Sequence, residues 1–142
     1  YDFVIDLDPT SPLRQTSDIE AAFRHFLESD ANNLYTVTPA RKNPYFNMVE
    51  LDGQRRAKLC KVPPGPLSNR QEAPQVFEMN ASIYIYRTAS LLKEGLPLHS
   101  ENTVVYVMPQ ERSIDIDTPV DFKVVEMFLQ ERQHVQMARK NG

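Results

Sequence analysis

The sequence predicts an α/β domain whose parallel layer is interrupted by a β-hairpin arm, and three observations carry that prediction. An apolar, β-branched run at Phe3–Leu7 is followed by an amphipathic helical pattern and then by a second strand-like run at residues 34–38. Strand, helix and strand at this spacing read as a βαβ unit in a parallel sheet. A further apolar run at residues 103–108 leads through an acidic stretch into a last helix. Between residues 43 and 79 the pattern changes: residues 45–51 alternate as a strand, Asp52-Gly53 reads as a tight turn, and residues 56–61 can return.

Taken in order, Phe3–Leu7 reads as a buried strand. Asp8-Pro9-Thr10-Ser11-Pro12-Leu13-Arg14 follows as a loop stiffened by two prolines, with polar groups at the strand's carboxyl end. Ser17-Asp18-Ile19-Glu20 has the form of a capping box, and opens a helix with Ile19, Ala22, Phe23, Phe26 and Leu27 on one face. Residues 62–74 are a Pro/Gly/polar loop carrying Arg70 and Gln71. Residues 76–79 read as a short extended piece and residues 80–86 as a separate strand. Thr88 is placed to cap a short helix that stops at Gly95. The last helix carries Phe122, Val125, Phe128 and Leu129 at helical spacing and is expected to fray after Arg132.

Composition limits what the chain can do. With 142 residues it can bury one real core, and its net charge of −3 gives no broad basic surface for nucleic acid. It holds no apolar run long enough to span a bilayer, so no membrane partner is expected. Cys60 is the sole cysteine, so no internal disulfide can form, which fits a reducing, cytoplasmic setting. The chain begins at Tyr1 and enters an apolar strand at once, as an interior strand of a longer protein would.

The most informative stretch is Ser113-Ile114-Asp115-Ile116-Asp117-Thr118-Pro119. Read as extended chain, it puts Ile114 and Ile116 on one face and Asp115 and Asp117 on the other. Paired carboxylates repel unless they are solvated or neutralised, and a divalent cation neutralises them well; Mg²⁺ is typically held by one or two carboxylates plus substrate phosphates. Thr118 then serves as N-cap and Pro119 as the first helical residue. This places the pair at a strand end before a helix, where α/β folds bind ligands. The residues alone leave a second reading open: a solvated strand end and a cap.

Three separated motifs resemble one family. Asp8-Pro9-Thr10-Ser11-Pro12-Leu13-Arg14 resembles the P-T-S-P-L-R loop of the acylneuraminate cytidylyltransferases, or CMP-sialic acid synthetases. Arg70-Gln71-Glu72-Ala73-Pro74 and Asn80-Ala81-Ser82-Ile83-Tyr84 resemble their R-Q-x-x-P and N-G-x-I-Y segments, and Ser113 to Thr118 their I-D-I-D-T motif. The stretch Arg41-Lys42-Asn43-Pro44-Tyr45-Phe46-Asn47-Met48 is similar to members acting on legionaminic-type sugars.

The resemblance implies a three-layer, Rossmann-like nucleotidyltransferase sheet, mostly parallel, with an inserted hairpin dimerisation arm at about residues 43–79. It implies transfer of CMP from CTP to the anomeric hydroxyl of a sialic-acid-like nonulosonic acid, with release of pyrophosphate. Asp115 and Asp117 would be the catalytic pair holding Mg²⁺. Asp8, Thr10, Ser11, Arg70, Asn80 and Tyr84 would bind substrate, and the arm would form a homodimer. Asp8 stands where many members have Gln, and Ala81 where most have Gly. The family's Gly- and Arg/Lys-containing phosphate loop has no counterpart in these residues, so half of the nucleotide site is expected from elsewhere. Two other classes stay open: a non-catalytic α/β dimerisation or binding module, and a sugar nucleotidyltransferase of other specificity.

Overall fold

The chain folds in the order β1 (Phe3–Leu7), α1 (Thr16–Leu27), β2 (Asn33–Pro39), β3 (Val49–Leu51), β4 (Ala57–Leu59), β5 (Phe77–Arg87), α2 (Thr88–Glu94), β6 (Thr103–Val107) and α3 (Pro119–Lys140). Single 3-10 turns lie at Arg70–Glu72 and Gln110–Arg112. The computed structural model describes residues 1–63, 65, 69–95 and 98–140, and only the backbone at 70, 94, 135, 136 and 138–140. The loop expected at 62–74 therefore lies partly outside the described residues. The chain forms two compact units, Tyr1–Thr38 with Met79 onward, and Pro39–Glu78. Among the described residues, no helix is long and apolar enough to cross a membrane.

The first unit holds a four-stranded sheet in the order β1-β5-β2-β6. β2 and β6 pair in parallel, with Leu34 opposite Val104. β1 and β5 pair antiparallel, with Ile5 opposite Ile85. β5 also runs against β2, because the Arg87 N–H bonds the Asn32 carbonyl at 2.9 Å and the Ile83 N–H reaches Thr36 Oγ1 at 3.0 Å. Thus β1, β2 and β6 share a direction and β5 opposes them. The expected βαβ unit keeps its strand directions but not its adjacency: β5 lies between β1 and β2. Ile83 and Ile85, both fully buried, explain why that late strand enters the middle of the sheet. Nor is β5 split in two, as the sequence suggests: it runs unbroken through Ala81, which takes φ 45°.

α1 lies on the sheet through Ala22 and Phe26, which join Ala31, Leu34, Ile83, Ile85 and Met108 in one core. Ile19 and Phe23 pack on its margin, but Leu27 points outward. The helix starts at Thr16, ahead of the expected cap at Ser17. The Asp18 carboxylate accepts the Gln15 N–H at 2.8 Å and so closes the first turn. β1 is not the buried strand its composition predicts: Val4, Ile5 and Leu7 are exposed. As an end strand of the sheet it has only Phe3 against the core margin, edge-on to Phe23 and Phe26.

Thr88 is the first residue of α2 rather than its cap, and its hydroxyl is buried without a partner. Gly95 ends α2 at φ 78°, an angle glycine adopts freely. α3 opens as expected on a reciprocal cap, the Thr118 N–H and hydroxyl donating to Asp121 Oδ2 at 2.8 and 2.7 Å. It then continues to Lys140 instead of fraying after Arg132. Val125 is buried on it, while Phe122 and Leu129 are exposed.

In the second unit β3 and β4 pair antiparallel, Val49 opposite Leu59. The hairpin is shorter than the alternation implies. The Asn43 carbonyl gathers the N–H groups of Phe46, Asn47 and Met48 into a turn, so the strand starts only at Val49. Asp52-Gly53 is not a two-residue turn either: Asp52 Oδ1 accepts from the Gln54 and Arg56 amides, and Arg55 takes φ 61°. Asn43 also donates to the Pro74 carbonyl at 3.0 Å, tying the start of the unit to its end.

Candidate functional site

Because β1 and β6 share a direction, the loops that leave their carboxyl ends open on the same edge of the sheet. The first is residues 8–14. Asp8 Oδ1 accepts from the Thr10 N–H at 2.9 Å and the Thr10 hydroxyl at 2.6 Å, an Asx-type turn. The Thr10 hydroxyl and amide hold the Asp8 carboxyl below its usual value. Ser11 is buried and donates to the Asn80 carbonyl at 3.1 Å. Arg132 of α3 donates to the Leu13 carbonyl at 2.9 Å, and Arg14 to the Ser82 carbonyl at 2.7 Å. The loop is thus held on every side by donors to its backbone or by its own side chains.

The second loop carries the acidic stretch. It is not the extended strand its alternation predicts: residues 113–117 are irregular and follow the 3-10 turn Gln110–Arg112. The two carboxylates are accordingly not equivalent: Asp117 is exposed, Asp115 half-buried. Asp115 Oδ1 is buried and has no hydrogen-bond partner. The Ile116 N–H donates to the Thr10 carbonyl at 3.0 Å, so the two loops lie side by side.

Tyr84 on β5 completes the cluster. Its phenol pKa is pushed up, first by burial and then by the negative charges of Asp8, Asp115 and Asp6. All three carboxylates therefore act on one hydroxyl, which stays protonated at neutral pH and can donate a hydrogen bond.

Asn80 is buried beside this cluster. It is 3% exposed. Its Oδ1 accepts from Thr36 Oγ1 at 2.7 Å and its Nδ2 donates to Ser113 Oγ at 2.9 Å. Ser11 is equally enclosed, and the Thr10 hydroxyl is engaged on Asp8. The structure thus brings Asp8, Thr10, Ser11, Asn80, Tyr84 and Asp115 together, leaves Asp117 at the surface, and puts Arg70 in the 3-10 turn of the other unit, its side chain outside the described residues. In that second unit an open cavity of about 460 Å³ is lined by Asn43, Gln71, Pro74 and Val76 among others.

The residues fit a bound Mg²⁺. A buried carboxylate oxygen without a partner is costly unless something neutralises it. Among the described residues no group of three or more His, Cys, Asp or Glu could form a full protein cage. A single buried carboxylate oxygen suits a cation that takes its other ligands from water and substrate phosphates.

Two residues that the sequence does not place at the site also frame it. Asp18, taken for part of a helix cap, binds Arg112 through both carboxylate oxygens at 2.8–3.1 Å. No spacing rule links positions 94 apart, so nothing local announces the pair.

No family model matches the chain. Among curated proteins it is 40% identical over 133 residues to a post-translational flagellin modification protein B of Campylobacter coli, covering 93% of this chain and 54% of that protein. It is 43% identical over 129 residues to a CMP-N,N'-diacetyllegionaminic acid synthase of Campylobacter jejuni, covering 91% and 53%. It is 27% identical over 121 residues to an N-acylneuraminate cytidylyltransferase of Streptococcus agalactiae, covering 85% and 28%. The chain thus spans about half the length of the first two and less of the third. Among solved structures, a 4-diphosphocytidyl-2C-methyl-D-erythritol synthase from Anaerococcus prevotii superposes with a TM-score of 0.57 at 13% identity, over 91% of this chain and 59% of that one; the likeness is one of fold.

Proposed function

Since the chain is a sequence relative of the CMP-legionaminic acid synthases and N-acylneuraminate cytidylyltransferases, we propose that the protein carrying it is a Mg²⁺-dependent cytidylyltransferase. It transfers CMP from CTP to the anomeric hydroxyl of a sialic-acid-like nonulosonic acid, of the N-acetylneuraminic or legionaminic type, and releases pyrophosphate. The observation that carries this reading is the unpartnered, buried Asp115 Oδ1 beside the loop of residues 8–14. An acceptor without a donor is what a cation site leaves behind, and it falls in the motif whose resemblance implies metal binding.

Asp115 and Asp117 are the residues that would hold Mg²⁺, which when bound neutralises triphosphate charge and makes a sugar hydroxyl more acidic. What the chain's own groups do follows from their placement. Such transfer depends on positioning and charge more than on covalent help. Tyr84, kept protonated, offers a donor to the sugar. Asp8, fixed by its turn with Thr10, offers an ionised acceptor of one orientation. Ser11 and Asn80 hold the floor beneath them rather than the ligand. Arg70 keeps the substrate-binding role its motif implies, and the arm pairs two copies.

The test is incubation of the full-length protein with CTP, Mg²⁺ and a panel of nonulosonic acids, with pyrophosphate and CMP-sugar both measured. Formation of a CMP-sugar from at least one acid is expected. No transfer to any of them, with protein shown to be folded, overturns the reading.

A further inference from the structure

We propose that Asp18 is a positioning residue for the acidic segment at 115–117, acting through Arg112. The inference deepens the metal-dependent reading above and rests on it.

Asp18 is 1% exposed, on the first turn of α1. Arg112 Nε lies 3.1 and 2.9 Å from its two oxygens, and Nη2 lies 2.8 Å from Oδ1. A planar guanidinium gripping a carboxylate through two nitrogens fixes orientation as well as distance. The carboxylate is itself fixed, because Oδ2 also accepts the Gln15 N–H at 2.8 Å. On the other charged side, Glu111 approaches Arg112 Nη1 only at 3.8 Å and is exposed.

The pair joins two places that matter. Asp18 belongs to the helix that begins directly after the loop of residues 8–14. Arg112 ends the 3-10 turn from which Ser113 and then Asp115 depart. A helix cap alone needs no buried ion pair: an uncharged Gln at the same position of the first turn would accept the Gln15 N–H. Nor does stability alone account for it, since packed apolar residues commonly serve as well in place of a buried pair. What the fork adds is a fixed exit direction for residues 113–117 relative to the loop of residues 8–14, which the Ile116 N–H meets at the Thr10 carbonyl. The unpartnered Asp115 oxygen has to be held in place, because by itself it makes no hydrogen bond that would hold it.

The experiment uses full-length protein carrying Arg112→Lys, which keeps the charge and loses the fork, and Asp18→Asn. Arg112→Lys leaves a positive charge within reach of the buried Asp18, and the melting temperature of each variant is read alongside. Three quantities are read: the Mg²⁺ concentration for half-maximal pyrophosphate release, binding of Mn²⁺ in the presence of CTP from the free-Mn²⁺ spin-resonance signal, and amide exchange in residues 113–117. In Arg112→Lys, both metal concentrations rise about tenfold, as when a group orienting a metal ligand is lost. Exchange in 113–117 quickens while β2 and β5 stay protected. A pair with a merely structural role would lower the melting temperature and leave the metal concentrations unchanged, and that result overturns the proposal. If wild type shows neither turnover nor Mn²⁺ binding, the functional reading falls instead. The exchange data then decide the positioning role: unchanged exchange in both variants overturns it, and faster exchange confined to 113–117 upholds it.

Discussion

Asn80 and Ser113, 33 positions apart, meet inside the protein: the Asn80 amide donates to the Ser113 hydroxyl at 2.9 Å, and that hydroxyl donates on to the Pro109 carbonyl at 2.8 Å. With Thr36 Oγ1 on its other side, the Asn80 side chain ties β2, β5 and the acidic loop into one buried network. Truncating it leaves two hydroxyls short of a partner. Asn80→Ala should therefore destabilise the protein by about 1–3 kcal/mol, and Ser113→Ala by about 1 kcal/mol. Urea midpoints of the two variants and of the double variant measure this, and a coupling of at least about 0.5 kcal/mol is expected. A substrate-facing Asn80 would leave stability unchanged.

The two aspartates should act on release rather than on stability. Asp117→Asn, at an exposed position, leaves the melting temperature unchanged and lowers pyrophosphate release by orders of magnitude. Asp115→Asn also abolishes release, and in the metal-free protein the melting temperature stays within a few degrees of wild type. Paired activity and calorimetric measurements without added metal check both. Wild-type turnover by Asp117→Asn at saturating Mg²⁺ would remove that residue from the metal site.

Asp8 titrates below its usual value of 3.8 because Thr10 donates to it twice. The sign follows from linkage: a depressed carboxylate pKa contributes stability above the unfolded value, and that contribution is lost as pH falls through the folded one. Carbon NMR of the Asp8 carboxyl should show a midpoint below 3.8, and Thr10→Ala should move it upward. An unmoved midpoint would mean that the turn is not what holds the charge.

Ala81 lies at φ 45° inside β5, in the left-handed region that a Cβ disfavours by about 1–2 kcal/mol. Glycine avoids that strain and loses some of the gain to its greater chain entropy. Ala81→Gly should stabilise by several tenths to about 1 kcal/mol, and Ala81→Val should destabilise by more. Thermal melts of the three proteins decide it.

Assembly is testable at the hairpin. Phe46, Met48, Val49, Leu51 and Leu59 all stand exposed in the unit Pro39–Glu78. An apolar group of this kind, repeated on a second copy, suits a two-fold contact. Light scattering of the full-length protein should give a dimer, and Val49→Lys with Leu51→Lys should shift it to monomer. A monomer at high concentration in the unsubstituted protein would count against the arm as an interface.

What the sequence determined by itself was local or already periodic. The amphipathic face of α1, the Thr118–Asp121 cap, the stop at Gly95 and the strands β2 and β6 follow from side-chain spacing and backbone preference, which act within a few residues. The motifs around Asp8, Asn80 and Asp115 were readable too, because their order along the chain is a sequence property. Tertiary structure decided the rest. β5 entered between β1 and β2 because Ile83 and Ile85 had to be buried, a demand that no local pattern expresses. The acidic stretch lost its alternation because Ser113 and Ile116 bond to Asn80 and Thr10, across 33 positions in the first case. That Asn80 and Ser11 are buried, each bonded to distant strands or loops, was not legible. Whether a polar side chain faces a ligand or the interior is settled only when distant strands close around it.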